Sequence, residues 1–232
     1  MLQHGSQTQS SAYRAAKEKI AAMNQEELAR HKLELARQRA AILAMRERTV
    51  RGRIEASGIP GDYRSATITL PEVRQWVDSV KSGKPTQLVL RGTNGTGKTT
   101  EACAALLELA HDMTIRFAML DSIQRAVSGS WMNRTANPAE VLEGFCTCGC
   151  LLIDDLGQSQ MTERATAMLL QIVSERIGNA RPTIYTTNYE GEGLYMRLSQ
   201  GGQSQASAIM DRMRQSVSVV MSGESLRCRV RA

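Results

Sequence analysis

The chain has 232 residues, 42% of them hydrophobic, 22% charged and 4% aromatic, and carries a net charge of +6. That length buries a core of real size, and the balance is that of a water-soluble globular protein, neither disordered nor fibrous. No run approaches the ~20 apolar residues needed to cross a bilayer.

The polar start MLQHGSQTQSS lacks the basic and then apolar regions of an export signal. Five cysteines, three of them crowded at Cys146, Cys148 and Cys150, do not make a disulfide framework, so a reducing cytoplasm is the expected setting. The positive charge is uneven. Residues 11–57 hold 11 Lys/Arg against six Glu, which is nearly the whole excess. A solvated helix face and a surface for an acidic partner such as nucleic acid both fit that balance.

In chain order, residues 1–11 read as a disordered polar tail. Residues 12–51 contain neither Pro nor Gly and are rich in Ala, Glu, Lys, Arg, Gln and Leu, which predicts helix. Leu28, Leu35 and Ile42 recur at seven-residue spacing, but the positions between them are polar, too thin a seam for a self-sufficient coiled coil. Such an arm is expected to dock on a partner. Gly52 and then Gly58-Ile59-Pro60-Gly61 are helix breakers and set the expected boundary between an arm of 12–57 and a main domain of 58–232.

The main domain then alternates. Pro71–Ser82 reads as helix and Gln87–Arg91 as strand, followed by helix over Thr99–His111 and strand over Ile115–Leu120. Asp121–Ser130 is a predicted helix with Asp121 as its cap, and 138–146 another. Cys150–Ile153 is an apolar strand. Thr162–Ile177 is a helix with Thr162 as cap and Ala165, Leu169, Ile172, Val173 and Ile177 on one face. Thr183–Thr187 and Ser216–Met221 complete five strands. The alternation predicts an α/β fold, a five-stranded parallel sheet with right-handed crossovers and no separate C-terminal helical lid.

Between the first strand and its helix stands Gly92-Thr93-Asn94-Gly95-Thr96-Gly97-Lys98-Thr99, the Gly-x4-Gly-Lys-Ser/Thr pattern in the context its chemistry requires. Backbone N–H groups can turn inward on a phosphate only where no Cβ blocks the approach, and the helix start adds partial positive charge. Lys98 is expected to reach the β- and γ-phosphates of ATP, Thr99 to ligate Mg2+, and Thr100 to line the same helix start. The strand Leu151-Leu152-Ile153 ends in Asp154 and Asp155. Asp154 is expected to hold the metal through water, and Asp155 to orient or activate the attacking water. Asn188, at the end of the strand 183–187, is placed to hydrogen-bond the γ-phosphate or that water. Arg212 and Arg227 are candidate cations for transition-state charge. The Cys146/Cys148/Cys150 spacing of one residue suits buried small side chains better than a metal site.

Together these motifs resemble the AAA+ ATPases of the DnaC-type replicative helicase loaders, with the IstB-type transposition helper ATPases as close relatives. The resemblance covers roughly residues 55–232. Its carriers are Ser57-Gly58-Ile59-Pro60 with Tyr63-Arg64, the glycine loop, Leu151–Gly157, Arg181-Pro182-Thr183 leading to Thr186-Thr187-Asn188, Ile209–Met213 and Ser222–Arg227. It implies an AAA+ core with Asn188 as a sensor, Arg212 as a finger acting on the neighbouring subunit, Arg227 as a second sensor and Ile59–Tyr63 near the adenine. It also implies that the N-terminal arm grips a replicative DNA helicase, and that the subunits associate head-to-tail as a ring or spiral. Single-stranded DNA is then threaded through them, with Arg125, Trp131 and Arg134 as candidate contacts. The chain departs from the family pattern in three places: no cysteine in the arm, Asp155 where Glu is common, and Leu226 where Tyr is common. The shorter acid implies slow hydrolysis. The reading is therefore a cytoplasmic, ATP-dependent helicase loader of a phage, prophage or bacterial replication module. A helper ATPase on duplex DNA and a nucleotide-gated adaptor that barely hydrolyses are the rivals.

Overall fold

The computed structural model describes residues 5–133 and 137–223. Two compact units divide at Thr49/Val50. The first holds most of helix α1 (Gly5–Ala56), and every side chain described between Tyr13 and Thr49 is exposed. The helix therefore starts at Gly5, inside the stretch expected to be a disordered tail, since no proline interrupts it there. It also runs through Gly52. A single interior glycine costs only about 1 kcal/mol against alanine, and the last turns have tertiary support. Val50 and Ile54 pack against the core of the second unit, and Arg53 donates to the Ala110 carbonyl at 2.7 Å. For that reason the second unit begins at Val50 and not at residue 58.

The second unit is a five-stranded sheet with helices on both faces. Its strands are β1 (Gln87–Gly92), β2 (Ile115–Met119), β3 (Cys150–Asp154), β4 (Thr183–Thr187) and β5 (Val217–Met221), in spatial order β2-β3-β4-β1-β5. Every ladder is parallel, as the alternating sequence pattern predicts. Side chains alternate across it. Leu88, Leu90, Leu152 and Ile184 enter one core layer, beneath α2 (Pro71–Lys81) and α3 (Lys98–Leu109). Val89, Leu151, Ile153 and Tyr185 enter the other, beneath α4 (Leu120–Asn133), α5 (Pro138–Thr147), α6 (Glu163–Gly178), α7 (Gly191–Ser199) and α8 (Gln203–Met213). Thr162 caps α6 as expected, accepting from the Ala165 N–H at 3.2 Å. Asp121 does not cap α4. It lies within the first turn, while the Ser122 hydroxyl accepts from the Met119 N–H at 3.1 Å. Glu101, buried on α3, accepts from the N–H groups of Thr69 and Leu70 and fixes the segment leading into α2.

The cysteine cluster proves to be a turn wrapped around a buried cation. Arg176 on α6 is fully buried and donates to the carbonyls of Phe145 (3.0 Å), Cys148 (2.8 Å), Gly149 (3.2 Å) and Pro182 (2.7 Å), and to the Thr183 hydroxyl (2.8 Å). Cys146 and Cys150 are buried as expected, and burial pushes both thiols up to about 12. Arg176→Met removes the donors and strands several buried carbonyls, each costing about 1–3 kcal/mol. The variant is expected to lose about 3–5 kcal/mol in urea unfolding, whereas Cys148→Ala should lose far less.

Candidate functional site

The site forms at the carboxyl ends of β1, β3 and β4, where ligands sit on open parallel sheets. Gly92 ends β1 and opens the glycine loop. A Cβ there would stand 2.1 Å from the Met221 carbonyl oxygen of β5, so only glycine lets β5 pair at this point. Gly95 and Gly97 take φ of 85° and 89°, a left-handed backbone that favours glycine and turns the loop into the start of α3. Lys98 is buried and donates to the carbonyls of Gly92 (2.9 Å) and Thr93 (2.7 Å); the Thr96 hydroxyl donates to the Thr93 carbonyl at 3.0 Å. The loop is thus closed upon its own lysine.

Asp154 ends β3 and is almost fully buried. The Thr99 hydroxyl donates to its Oδ1 at 3.0 Å, and the Thr186 hydroxyl of β4 donates to the same oxygen at 2.6 Å. Burial raises the Asp154 carboxyl above the ordinary range and the Asp155 charge adds to this, while the two hydroxyls and Lys98 oppose it. Asp155 leaves the strand with φ 52°, a conformation Asp tolerates better than most residues, and its N–H donates to the Thr186 hydroxyl at 2.8 Å.

A cavity of about 440 Å³ opens here, lined by Tyr63, Asn94, Gly95, Gly97, Lys98, Thr99, Thr100, Asp155, Gln158 and Asn188. The structure therefore brings together most of the residues expected to bind nucleotide; Gly92, Thr93 and Thr96 belong to the same loop without lining the cavity, and Asp154 meets Thr99 by hydrogen bond. The donor set fits ATP. The loop offers glycine-built backbone and Lys98 supplies a cation, while the Asn188 amide oxygen, buried with no hydrogen-bond partner, is an acceptor for a water. It also fits Mg2+, a hard cation that prefers oxygen ligands, since the Thr99 hydroxyl and the Asp154 carboxylate already converge. Arg212 is outside the cavity, exposed on α8 and donating to its own helix at Ala208 (3.0 Å). Arg227 and Arg134 lie outside the described residues, as does the side chain of Trp131. Arg125 lines a separate pocket between α4 and α6 with Asp121 and Arg164.

Gln158 and Thr186 were not foreseen as site residues. Gln158 lies in an irregular turn without periodicity. Thr186 becomes visible only when β4 is known to lie beside β3. Burial raises the folded pKa of Asp154, so the folded chain holds this proton more tightly than the unfolded chain does. The associated stability is fully present below the ordinary value of 3.8 and is lost as pH rises through the folded value. Asp154→Asn is therefore expected to raise the melting temperature of the nucleotide-free protein at pH 7.5. That gain should shrink as pH falls towards 3.8. A variant less stable than wild type at neutral pH would count against this account.

A model of the family of IstB-like ATP binding proteins matches residues 3–232. Among solved structures, that of DnaI shares 22% identity at a TM-score of 0.60, covering 73% of this chain and 94% of that one. The DnaC helicase loader also shares 22% identity, at a TM-score of 0.55 over 70% of this chain and all of that one. The replication initiator DnaA, solved bound to AMPPCP and single-stranded DNA, shares 17% at 0.55, over 66% of this chain and 45% of that one. No curated protein matches the sequence. The fold is the one these solved structures share, with the expected five-stranded parallel sheet flanked by helices.

Proposed function

Because the chain belongs to the family of IstB-like ATP binding proteins, we propose that it is an ATPase that loads a replicative DNA helicase onto single-stranded DNA. The observation that carries this reading is the pairing of a nucleotide-sized cavity at the glycine loop with a separate helical unit whose described side chains are all exposed. The first is a site for ATP and the second a surface for a partner. Helicase, single-stranded DNA and a cytoplasmic setting come from the likeness to DnaC-type loaders; no helix among the described residues is long and apolar enough to cross a membrane.

In this reading the loop N–H groups and Lys98 hold the β- and γ-phosphates, with Lys98 exchanging its contacts to the Gly92 and Thr93 carbonyls for phosphate oxygens. Thr99 and Asp154 would hold Mg2+, which would supply charge neutralisation for the phosphates. The Asp155 carboxylate accepts a proton from water as the water oxygen bonds to the γ-phosphorus and the bond to ADP breaks. Asn188 donates to that water or to a γ-oxygen. Among the described residues no arginine lines the cavity, and Arg212, exposed on α8, is the cation offered to the site of an adjacent copy. Such head-to-tail contacts generate a ring or a spiral. The short Asp155 side chain keeps turnover slow, with nucleotide state acting as a switch on the arm's partner.

A second reading, a transposition helper on duplex DNA, is favoured by the family match itself, which spans the arm as well as the ATPase unit. Lys98→Ala is expected to abolish ATP binding. Arg212→Ala should keep binding and lose about 10³–10⁵ in turnover. Full-length protein with ATP should capture the host's replicative helicase, and a chain lacking residues 1–49 should not. No capture by the full chain would end the loader reading, and filaments whose length follows that of duplex DNA would establish the second.

A further inference from the structure

Two turns carry the groups that face the expected γ-phosphate. The turn leaving β3 holds Asp155 and Gln158, and the turn leaving β4 holds Asn188. At the strand ends they are joined by the Leu156 N–H to the Thr186 carbonyl (2.8 Å) and by the Thr187 hydroxyl to the Leu156 carbonyl (2.7 Å). Beyond the strand ends the tie is made by Arg197 of α7. Its Nε donates to the Gly157 carbonyl at 2.8 Å and a terminal nitrogen donates to the Gln158 carbonyl at 3.2 Å. The same guanidinium lies 5.5 Å from the ring centroid of Tyr189, which directly follows Asn188. Gly157, at φ 88°, is pressed against that ring. A Cβ there would stand 3.0 Å from a Tyr189 ring carbon and 3.1 Å from a Leu194 methyl.

One planar cation thus grips the first turn by two carbonyls and stacks on the second. Only arginine offers that combination, since lysine has a point charge and no fork. We propose that Arg197 is a positioning residue for ATP hydrolysis, fixing the Asp155 carboxylate and the Asn188 amide relative to each other without touching nucleotide itself. The inference rests on the ATPase reading above. A displacement of about 1 Å at a reacting group can cost on the order of 10²-fold in rate, so a tie of this kind acts on turnover and leaves binding alone. Leu194 and Leu198, both buried on the same helix, hold α7 in place whatever stands at 197.

The test compares the full-length wild type with Arg197→Ala, Arg197→Lys, Asn188→Ala and the Arg197→Ala/Asn188→Ala double variant. Fluorescent ATP binding, steady-state phosphate release and amide hydrogen exchange are measured on each. Arg197→Ala is expected to bind ATP like wild type with an unchanged KM and to lose about 10- to 100-fold in kcat. Arg197→Lys should recover only part of that loss. The double variant should be little worse than Asn188→Ala alone, because both changes remove the same alignment. Exchange should rise together in residues 155–158 and 187–190. Wild-type turnover in Arg197→Ala overturns the proposal, as do additive losses or a parallel loss of ATP binding and melting temperature. A wild type that binds ATP and releases no phosphate overturns the ATPase reading and this inference with it, an outcome distinct from failure of Arg197 alone.

Discussion

The Thr186 hydroxyl is the contact on which the site's geometry turns. It donates to Asp154 Oδ1 at 2.6 Å and accepts from the Asp155 N–H at 2.8 Å, so one oxygen sends two adjacent acids in different directions. Asp154 stays behind Thr99 on the α3 side of the sheet, while Asp155 turns into the left-handed conformation and faces the cavity. The contact exists only because β4 lies between β3 and β1, with Leu151 paired to Thr183 on one side and Leu90 to Thr186 on the other. Valine at 186 would keep the shape of the strand and leave a buried carboxylate short of a donor, the costlier of the two kinds of loss.

Burying Asp154 is expensive, and its raised carboxyl reports that cost. Lys98, held nearby on loop carbonyls, is likewise a cation kept from water. Under the proposed function, these are the charges that a metal and a phosphate would meet. Stability given up at such a site is a common correlate of function. Arg176 makes the contrast clear. It is just as buried, yet its donors are spent on carbonyls of its own chain, and it lies at the other end of the sheet from the cavity, beside the starts of β3 and β4.

The sequence was most legible where local chemistry decides the outcome. The glycine loop, the apolar strand ending in two acids and the Thr162 cap each depend on a few adjacent residues, and the structure has them where the pattern predicts. The helices α7 and α8 were not legible, because Gly191, Gly193, Gly201 and Gly202 read as turn and the apolar positions between them are few. Their loss from the sequence reading also hid Arg197. Gly52 misled in the opposite sense. A breaker's cost of about 1 kcal/mol is a local quantity, and the packing of Val50 and Ile54 exceeds it from far along the chain.

The arm poses the remaining physical question. A long helix without tertiary packing has only its intrinsic propensity and side-chain pairs to stabilise it, and these are marginal. Leu28, Leu35, Ile42 and Met45 continue a single stripe, but Leu33 and Leu43 lie off it, and all are exposed. One seam would suit a two-stranded coiled coil; apolar side chains on more than one side suit a partner that surrounds the helix. The family match begins at residue 3, so the arm belongs to what the family shares and is no appendage. Its helix follows from composition, and side chains that face solvent add little to its stability. The same helix continues through Val50–Ala56, where Val50 and Ile54 pack on the core of the second unit, so tertiary contact holds its last turns.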